Sequence, residues 1–331
     1  MNMKKSLLIL FTFYGLFICN ANAQDKAEFK PSGKPEALIF TNFANVSSGG
    51  ASQNRFEVTR AYLGYTYQFS PEWSGRATLD FGNTGAAGYQ YTGYLKYGYM
   101  QYAPKNLTVK FGMIQTKSFE LYEKLYGYRY IMKVAQDQYG FNSSADLGVS
   151  ADYKFSDFIS ADAILQNGEG YKINDVDSVL KMGVGVTLHP VKELTIRGYY
   201  DNMTKKSAAQ QTAAVFAAYT NKKINLGVGY DYQTDYKYKV GQDWSAVSVF
   251  GTYFLSSKAD IFARYDNLSS VKVGDAATAW NNAKDGQLYM AGLEFIPVKG
   301  IRIAPNYQLW KPRDNARSNV STVILNVEIK L

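Results

Sequence analysis

Four basic side chains stand within one aromatic-rich stretch: Lys117, Lys124, Arg129 and Lys133. Around them run Phe119, Leu121, Tyr122, Leu125, Tyr126, Tyr128, Tyr130 and Ile131, with Glu120, Glu123 and Asp137 as the acids. Cations carried on a greasy segment can attract and screen charged solutes, which is steering rather than bond-making. Bond-making has few candidates. The chain holds one histidine, His189, and one cysteine, Cys19. A His-Cys metal cluster is therefore excluded, and a catalytic triad would have to be built around His189, which sits against Pro190 at a turn, or do without histidine. Asp235 with Asp243, or Asp275 with Asp285, lack the twelve-residue acidic spacing of a calcium loop. No glycine-rich loop leads into a helix to cradle phosphate. The expectation is no metal, no cofactor and no enzyme.

The elements that must carry the basic stretch read with period two. Leu147, Val149, Ala151, Tyr153 and Phe155 alternate with Asp146, Gly148, Ser150, Asp152 and Lys154. Val323, Leu325, Val327, Ile329 and Leu331 alternate with Asn326, Glu328 and Lys330. Such alternation means strands with one apolar and one polar face. We count sixteen, at about 36–46, 54–69, 72–82, 93–103, 106–113, 146–155, 158–167, 179–189, 193–201, 212–220, 223–233, 244–255, 258–267, 286–296, 300–309 and 320–331. Every second connection is tight, as at Ser70-Pro71-Glu72 and Pro190-Val191-Lys192, and the others are expected to be long and polar.

A secreted soluble β-protein would show the same alternation with its apolar set inside. Three features favour the reverse. Strands of about ten residues, tilted near 45°, span about 25 Å, the height of a lipid-facing band. Aromatics of the apolar register cluster at strand ends, with Phe69, Tyr153, Phe155, Tyr219, Tyr253 and Phe295 beside the tight turns. Tyr200, Tyr230, Tyr265, Tyr289 and Tyr307 lie toward the long connections. The middle of that register is almost free of charge, where Lys or Arg facing lipid would cost about 2–4 kcal/mol. The fold class expected is all-β: a transmembrane antiparallel up-and-down barrel wide enough to hold water, with outer-membrane lipid as its partner.

Met1 to Ala23 carries Lys4 and Lys5, an apolar run from Leu7 to Cys19 and a small-residue site at Ala21-Asn22-Ala23, the layout of a secretory signal peptide. Residues 24–35 are expected as a periplasmic N-terminal segment and 36–331 as the barrel, with both termini periplasmic. Without the leader the net charge falls from +8 by its two lysines to +6. The basic residues are dispersed among strands of both signs, which disfavours nucleic acid.

The longest interruption, 114–145, is too aromatic for a loop left in water. Leu121, Leu125 and Tyr128 have helical spacing. Folded into the lumen, the loop would narrow it and present Lys117, Lys124, Arg129 and Lys133; an external cap or a contact with a neighbouring subunit would also bury its rings. The polar register is expected to line the pore with Arg60, Arg76, Lys110, Arg197, Arg264 and Arg302 against Asp80, Asp162, Asp231, Asp260 and Glu294. In full it sets ten basic groups, including Lys96, Lys154, Lys181 and Lys330, against ten acidic ones. That balance predicts a transverse field that screens polar solutes rather than strong anion selection. The reading is a channel for small hydrophilic solutes and inorganic ions with modest anion preference. A non-conducting structural or adhesin-like barrel, or a barrel enzyme, is the alternative.

The chain resembles the phosphate-selective porin O/P family. The likeness rests on Gly112-Met113 leading into Phe119, on Gly127-Tyr128-Arg129, on Gln166-Asn167-Gly168-Glu169-Gly170 and on Phe262-Ala263-Arg264-Tyr265-Asp266. It implies a homotrimer of outer-membrane channels with basic groups at each constriction, here Lys124, Arg129 and Lys133. The balanced wall departs from the excess of Arg and Lys that such a family implies.

Overall fold

Alternation over about ten residues at a time yields strands whose two faces meet different surroundings, and closure leaves none of them with a free edge. The computed structural model describes residues 29–331 apart from 84–90 and 206–207. The leader at 1–23 lies outside the described residues, as do residues 24–28 of the segment 24–35. Sixteen strands are present among the described residues: β1 (Ser32–Ser48), β2 (Ala51–Gln68), β3 (Trp73–Asn83), β4 (Tyr91–Tyr102), β5 (Leu107–Gln115), β6 (Ala145–Lys154), β7 (Ile159–Gln166) and β8 (Lys181–Val191). The second half comprises β9 (Leu194–Lys205), β10 (Ala208–Thr220), β11 (Ile224–Thr234), β12 (Trp244–Ser256), β13 (Ala259–Ser270), β14 (Gly286–Val298), β15 (Ile301–Pro312) and β16 (Val320–Lys330). Each pairs antiparallel with its sequence neighbours, and β1 pairs with β16 from Leu38↔Lys330 to Ser48↔Val320, so the sheet closes on itself.

The two faces separate as the residue types demand. On β12, Trp244, Ala246, Ser248, Phe250 and Thr252 are 0–3% exposed, while Val249, Tyr253 and Leu255 are 44–53% exposed. Around the outside, Val186, Val215, Leu226, Val228, Ile261 and Leu293 form an exposed aliphatic band. Exposed Phe69, Phe155, Tyr253 and Phe295 flank it toward the tight turns, and Tyr200, Tyr230, Tyr289 and Tyr307 toward the other end. An apolar belt of this extent is stable only against an apolar solvent.

Two boundaries differ from the sequence reading. β1 begins at Ser32 and pairs there with Gln68, so residues 32–35 belong to the barrel and not to a segment preceding it. The β1–β2 connection is only Gly49-Gly50, both at positive φ (56° and 83°), where an L side chain would be strained. Of the residues 47–53 read as the connection, 47–48 and 51–53 are strand, and polar bonds zip the hairpin there: Asn45 Nδ2 donates to Asn54 Oδ1 at 2.7 Å and to Ser52 Oγ at 2.9 Å. Short and long connections therefore do not alternate strictly.

One departure from period two matters for function. The β3–β4 ladder shifts register between Thr78 and Leu79, and the extra residue is Lys96. Beside that bulge Lys96 and Tyr97, adjacent in sequence, are both buried, 4% and 9% exposed.

Candidate functional site

The segment 116–144 between β5 and β6 contains two short helices, α1 (Glu120–Tyr126) and α2 (Ala135–Tyr139), each ended by a glycine at positive φ, Gly127 (77°) and Gly140 (86°). Helical spacing thus stops one residue before Gly127, and Tyr128 lies beyond α1. Helices of seven and five residues do not hold themselves together in water. Aromatic packing against the interior face of the strands does it. Tyr122 stacks on Phe216 of β10 at 4.3 Å, Tyr126 meets Phe250 of β12 edge-on at 5.2 Å, and Tyr128 meets Phe262 of β13 at 4.6 Å.

Polar staples supplement the rings. Three strand arginines donate to backbone carbonyls of the segment: Arg197 to Lys117 O at 2.7 Å, Arg264 to Lys133 O at 2.6 Å and Arg302 to Gly127 O at 2.9 Å. Each also stays paired with a carboxylate, Asp162, Asp266 and Glu294 respectively. In return Tyr130 Oη donates to Glu294 Oε1 at 2.6 Å, Gln136 Nε2 to Asp231 Oδ1 at 2.6 Å, and Tyr139 Oη to Asp266 Oδ2 at 2.8 Å.

These contacts correct part of the expected pore lining. Arg197, Arg264, Asp80, Asp231, Asp260 and Glu294 are at most 6% exposed, so they are covered rather than open to water. Their pairs run sideways along or between near strands, as in Arg60–Asp80 at 2.8 Å and Arg264–Asp266 at 2.7 Å, and do not oppose each other across a channel. A charge deprived of water needs a close partner, and the wall supplies it laterally. Arg60, Arg76, Lys110, Arg302 and Asp162 keep intermediate exposure.

The four basic residues of the segment part company. Lys117 is buried between Glu120 (3.2 Å) and Asp152 (2.8 Å); burial pushes its pKa down, but the two carboxylates outweigh it and hold it above the ordinary lysine value. Arg129 pairs with Glu123 at 3.1 Å and Asp137 at 3.7 Å, and Lys133 pairs with Asp137 at 2.7 Å. Burial opposes charge on Asp137, yet Lys133 and Arg129 hold its carboxyl below the usual range. Lys124 is exposed and, among the described residues, makes no ion pair.

A cavity of about 540 Å³ remains between α1 and the interior face of β1–β4 and β16. Its lining holds six basic groups (Lys34, Arg76, Lys96, Lys124, Arg129, Lys330) against four acidic ones (Glu36, Glu120, Glu123, Glu328), a surplus of two. Glu36 is taken by Arg76 at 2.8 Å. Lys96 has no carboxylate partner among the described residues: Nζ donates to Tyr62 Oη at 3.3 Å and lies over the rings of Tyr62, Tyr97 and Tyr171 at 4.7, 5.6 and 5.7 Å. Aromatic faces tolerate a cation without neutralising it. Lys172 sits likewise over Tyr94 (5.0 Å) and Tyr171 (5.7 Å), and Lys110 over Tyr99 at 5.3 Å. Alternation already placed Lys96 in the inward register, but it gives no hint of the bulge that buries Tyr97 beside it, and Lys172 carries no pattern signal at all.

Elsewhere, Glu169, Asp175 and Asp177 bring carboxylate oxygens within 4.8 Å of one another, with Asp177 also held by Lys205 at 2.8 Å. His189 Nδ1 lies 3.2 Å from Thr195 Oγ1, beside the tight β8–β9 turn.

No protein-family model and no curated protein matches the sequence. Solved structures do match in shape. The outer membrane channel DcaP of Acinetobacter baumannii superposes with TM-score 0.68 at 13% identity, covering 94% of this chain and 100% of its own. OprB of Pseudomonas putida gives 0.69 at 10% identity, covering 90% and 94%. An anion-selective porin from Comamonas acidovorans gives 0.65 at 12% identity, covering 91% and 100%. The fold is that of the outer-membrane barrels. At these identities the likeness is one of architecture, and none of these structures bears on the resemblance to the phosphate-selective porin O/P family, which is one of short sequence motifs.

Proposed function

We propose that the chain is an outer-membrane porin through which small hydrophilic solutes and inorganic ions diffuse passively. The observation that carries this reading is the inversion of the barrel: a closed sheet with a continuous exposed apolar belt and a charged, tyrosine-rich interior. A protein built that way satisfies its backbone in hydrocarbon and keeps water within. The segment 116–144 lies across the lumen as its constriction, held by the aromatic stacks and arginine staples on one side. Solutes pass on the other side, along the cavity between α1 and β1–β4.

The finer reading is a modest anion preference. Its support is the surplus of two positive charges around that cavity and the aromatic-shielded Lys96. The fixed pairs Arg76–Glu36 and Arg129–Glu123 add polarity without net charge. Trimerisation follows the family resemblance, and periplasmic termini follow from the even strand count. An enzymatic role has little to draw on, since the single histidine lies at a tight turn beside Thr195. Planar-bilayer recording with chloride, phosphate and small sugars as competing solutes tests the proposal: stepwise conductance with an anion-to-cation permeability ratio above one supports it, and a folded protein that inserts without conductance removes it.

A further inference from the structure

A second cavity, of about 700 Å³, opens at the end of the barrel that carries the long connections, walled by α2, the β11–β12 and β13–β14 connections and β15. Its size falls within the range of about 300–1,000 Å³ usual for small-molecule sites. Four half-buried rings face it: Tyr139, Tyr236, Trp280 and Trp310. They are held in place. Tyr236 stacks on Trp280 at 5.3 Å and 22°, and both rest on Trp244, at 4.9 and 5.6 Å. Trp244 in turn stacks on Phe141 at 4.3 Å. Trp310 lies across the bare backbone of Gly286, where a Cβ would come within 2.7 Å of its ring, and faces Tyr139 at 6.0 Å.

The polar groups there differ from those of a plain satellite core. Trp244 and Trp280 spend their indole N–H groups on Gln233 Oε1 and Asp243 O. Among the described residues, however, the Trp310 indole N–H, the Tyr236 hydroxyl and the side-chain amides of Gln138 and Gln242 have no protein partner, and all four side chains line the cavity. The lining also holds Lys237, Lys239 and Lys284 and no carboxylate. Nearby acids are already engaged: Asp243 accepts from Tyr232 Oη and Asp235 N, and Asp285 accepts from Ser270 and pairs with Arg313.

Flat rings, free amide and indole groups and unopposed cations together describe one ligand chemistry. A pyranose stacks its C–H face on an aromatic ring, and its hydroxyls bond to amides and indole N–H groups. Carboxylates on the sugar answer the lysines. We propose that this cavity is a binding site for an acidic, uronate-bearing oligosaccharide at the mouth of the barrel. The site depends on the cavity and not on conduction, so it is tested separately from the porin reading.

The experiment is a titration of the detergent-purified barrel with tetragalacturonate, read by tryptophan fluorescence and by calorimetry. The expected result is saturable binding that weakens by about tenfold or more in Lys237→Gln/Lys284→Gln, two exposed positions, and in Trp310→Leu. Maltotetraose, uncharged, and a polyglutamate of equal charge are expected to bind at least about tenfold more weakly than the acidic sugar. Absence of saturable binding, unchanged affinity in the lysine variant, or equal binding of maltotetraose or polyglutamate would each overturn the assignment. If Trp310→Leu loses the heat-modifiable mobility of a folded barrel, the lysine variant and the two control ligands decide alone.

Discussion

Lys124→Glu isolates the contribution of one charge to permeation. The side chain is exposed, lines the 540 Å³ cavity and makes no ion pair among the described residues, so reversal leaves the packing of α1 intact. Two unit charges about 5 Å apart in water interact by about 0.8 kcal/mol, and reversing the sign doubles the difference. Screening at 0.1 M salt leaves about 1 kcal/mol. Cations gain what anions lose, so the permeability ratio moves by about 2 kcal/mol, roughly thirtyfold. An ion passing at about 10 Å would feel a change of only about threefold. The reversal potential under a tenfold potassium chloride gradient should therefore shift toward cation preference by an amount between these bounds, and the shift should shrink at 1 M salt. An unchanged reversal potential in a variant of normal conductance would place α1 away from the ion path and refute the constriction assigned to it.

Deleting residues 117–135 should raise single-channel conductance, because the strand arginines that lose their carbonyl acceptors become hydrated within the lumen; an unaltered conductance would put the segment outside the pore. Tyr130→Phe removes the 2.6 Å bond to buried Glu294 and should cost about 1–3 kcal/mol of local stability, read as added current noise rather than loss of folding. Asp137 carries a pKa depressed in the fold, so it steadies the segment at every pH above the ordinary carboxylate range and releases it only as pH falls through its lowered value. Current noise should stay flat from pH 8 to about 5 and rise below about 4; a rise beginning near pH 6 would assign the switch to another group. Val249→Arg, on the exposed apolar face, should destabilise the barrel in lipid by about 2–4 kcal/mol in denaturant unfolding.

The strand count was legible because the outward register is chemically continuous. Runs such as Leu147 to Phe155 and Val323 to Leu331 lie next to a medium that tolerates no interruption, so the alternation survives in the sequence. Hairpin ends were less legible, since beyond the belt both faces of a strand are wet and Ser47, Ser48, Ser52 and Gln53 look like loop. Period two also assigns a residue to the interior without saying what covers it. Arg264, expected to line the pore, is covered together with Asp266 by Lys133 and Tyr139, more than a hundred residues away. Gly127 and Gly140, which end α1 and α2, stood in plain view but could be read only with those helices in hand. The bulge that turns Lys96 and Tyr97 to the same side depends on the register of a neighbouring strand, which one strand's sequence does not contain.

The most direct test of the inside-out barrel places one spin label at a time on β5 of the folded protein in lipid vesicles. The only cysteine is Cys19, so the chain beyond residue 23 offers no competing thiol. At Phe111→Cys, which replaces a ring 64% exposed on the outer face, relaxation should be enhanced by oxygen and not by a charged nickel chelate. At Lys110→Cys, one residue away and turned inward, the chelate should act and oxygen should have little effect. If both labels responded to the chelate alone, the apolar belt would be facing water and the channel would lose its basis.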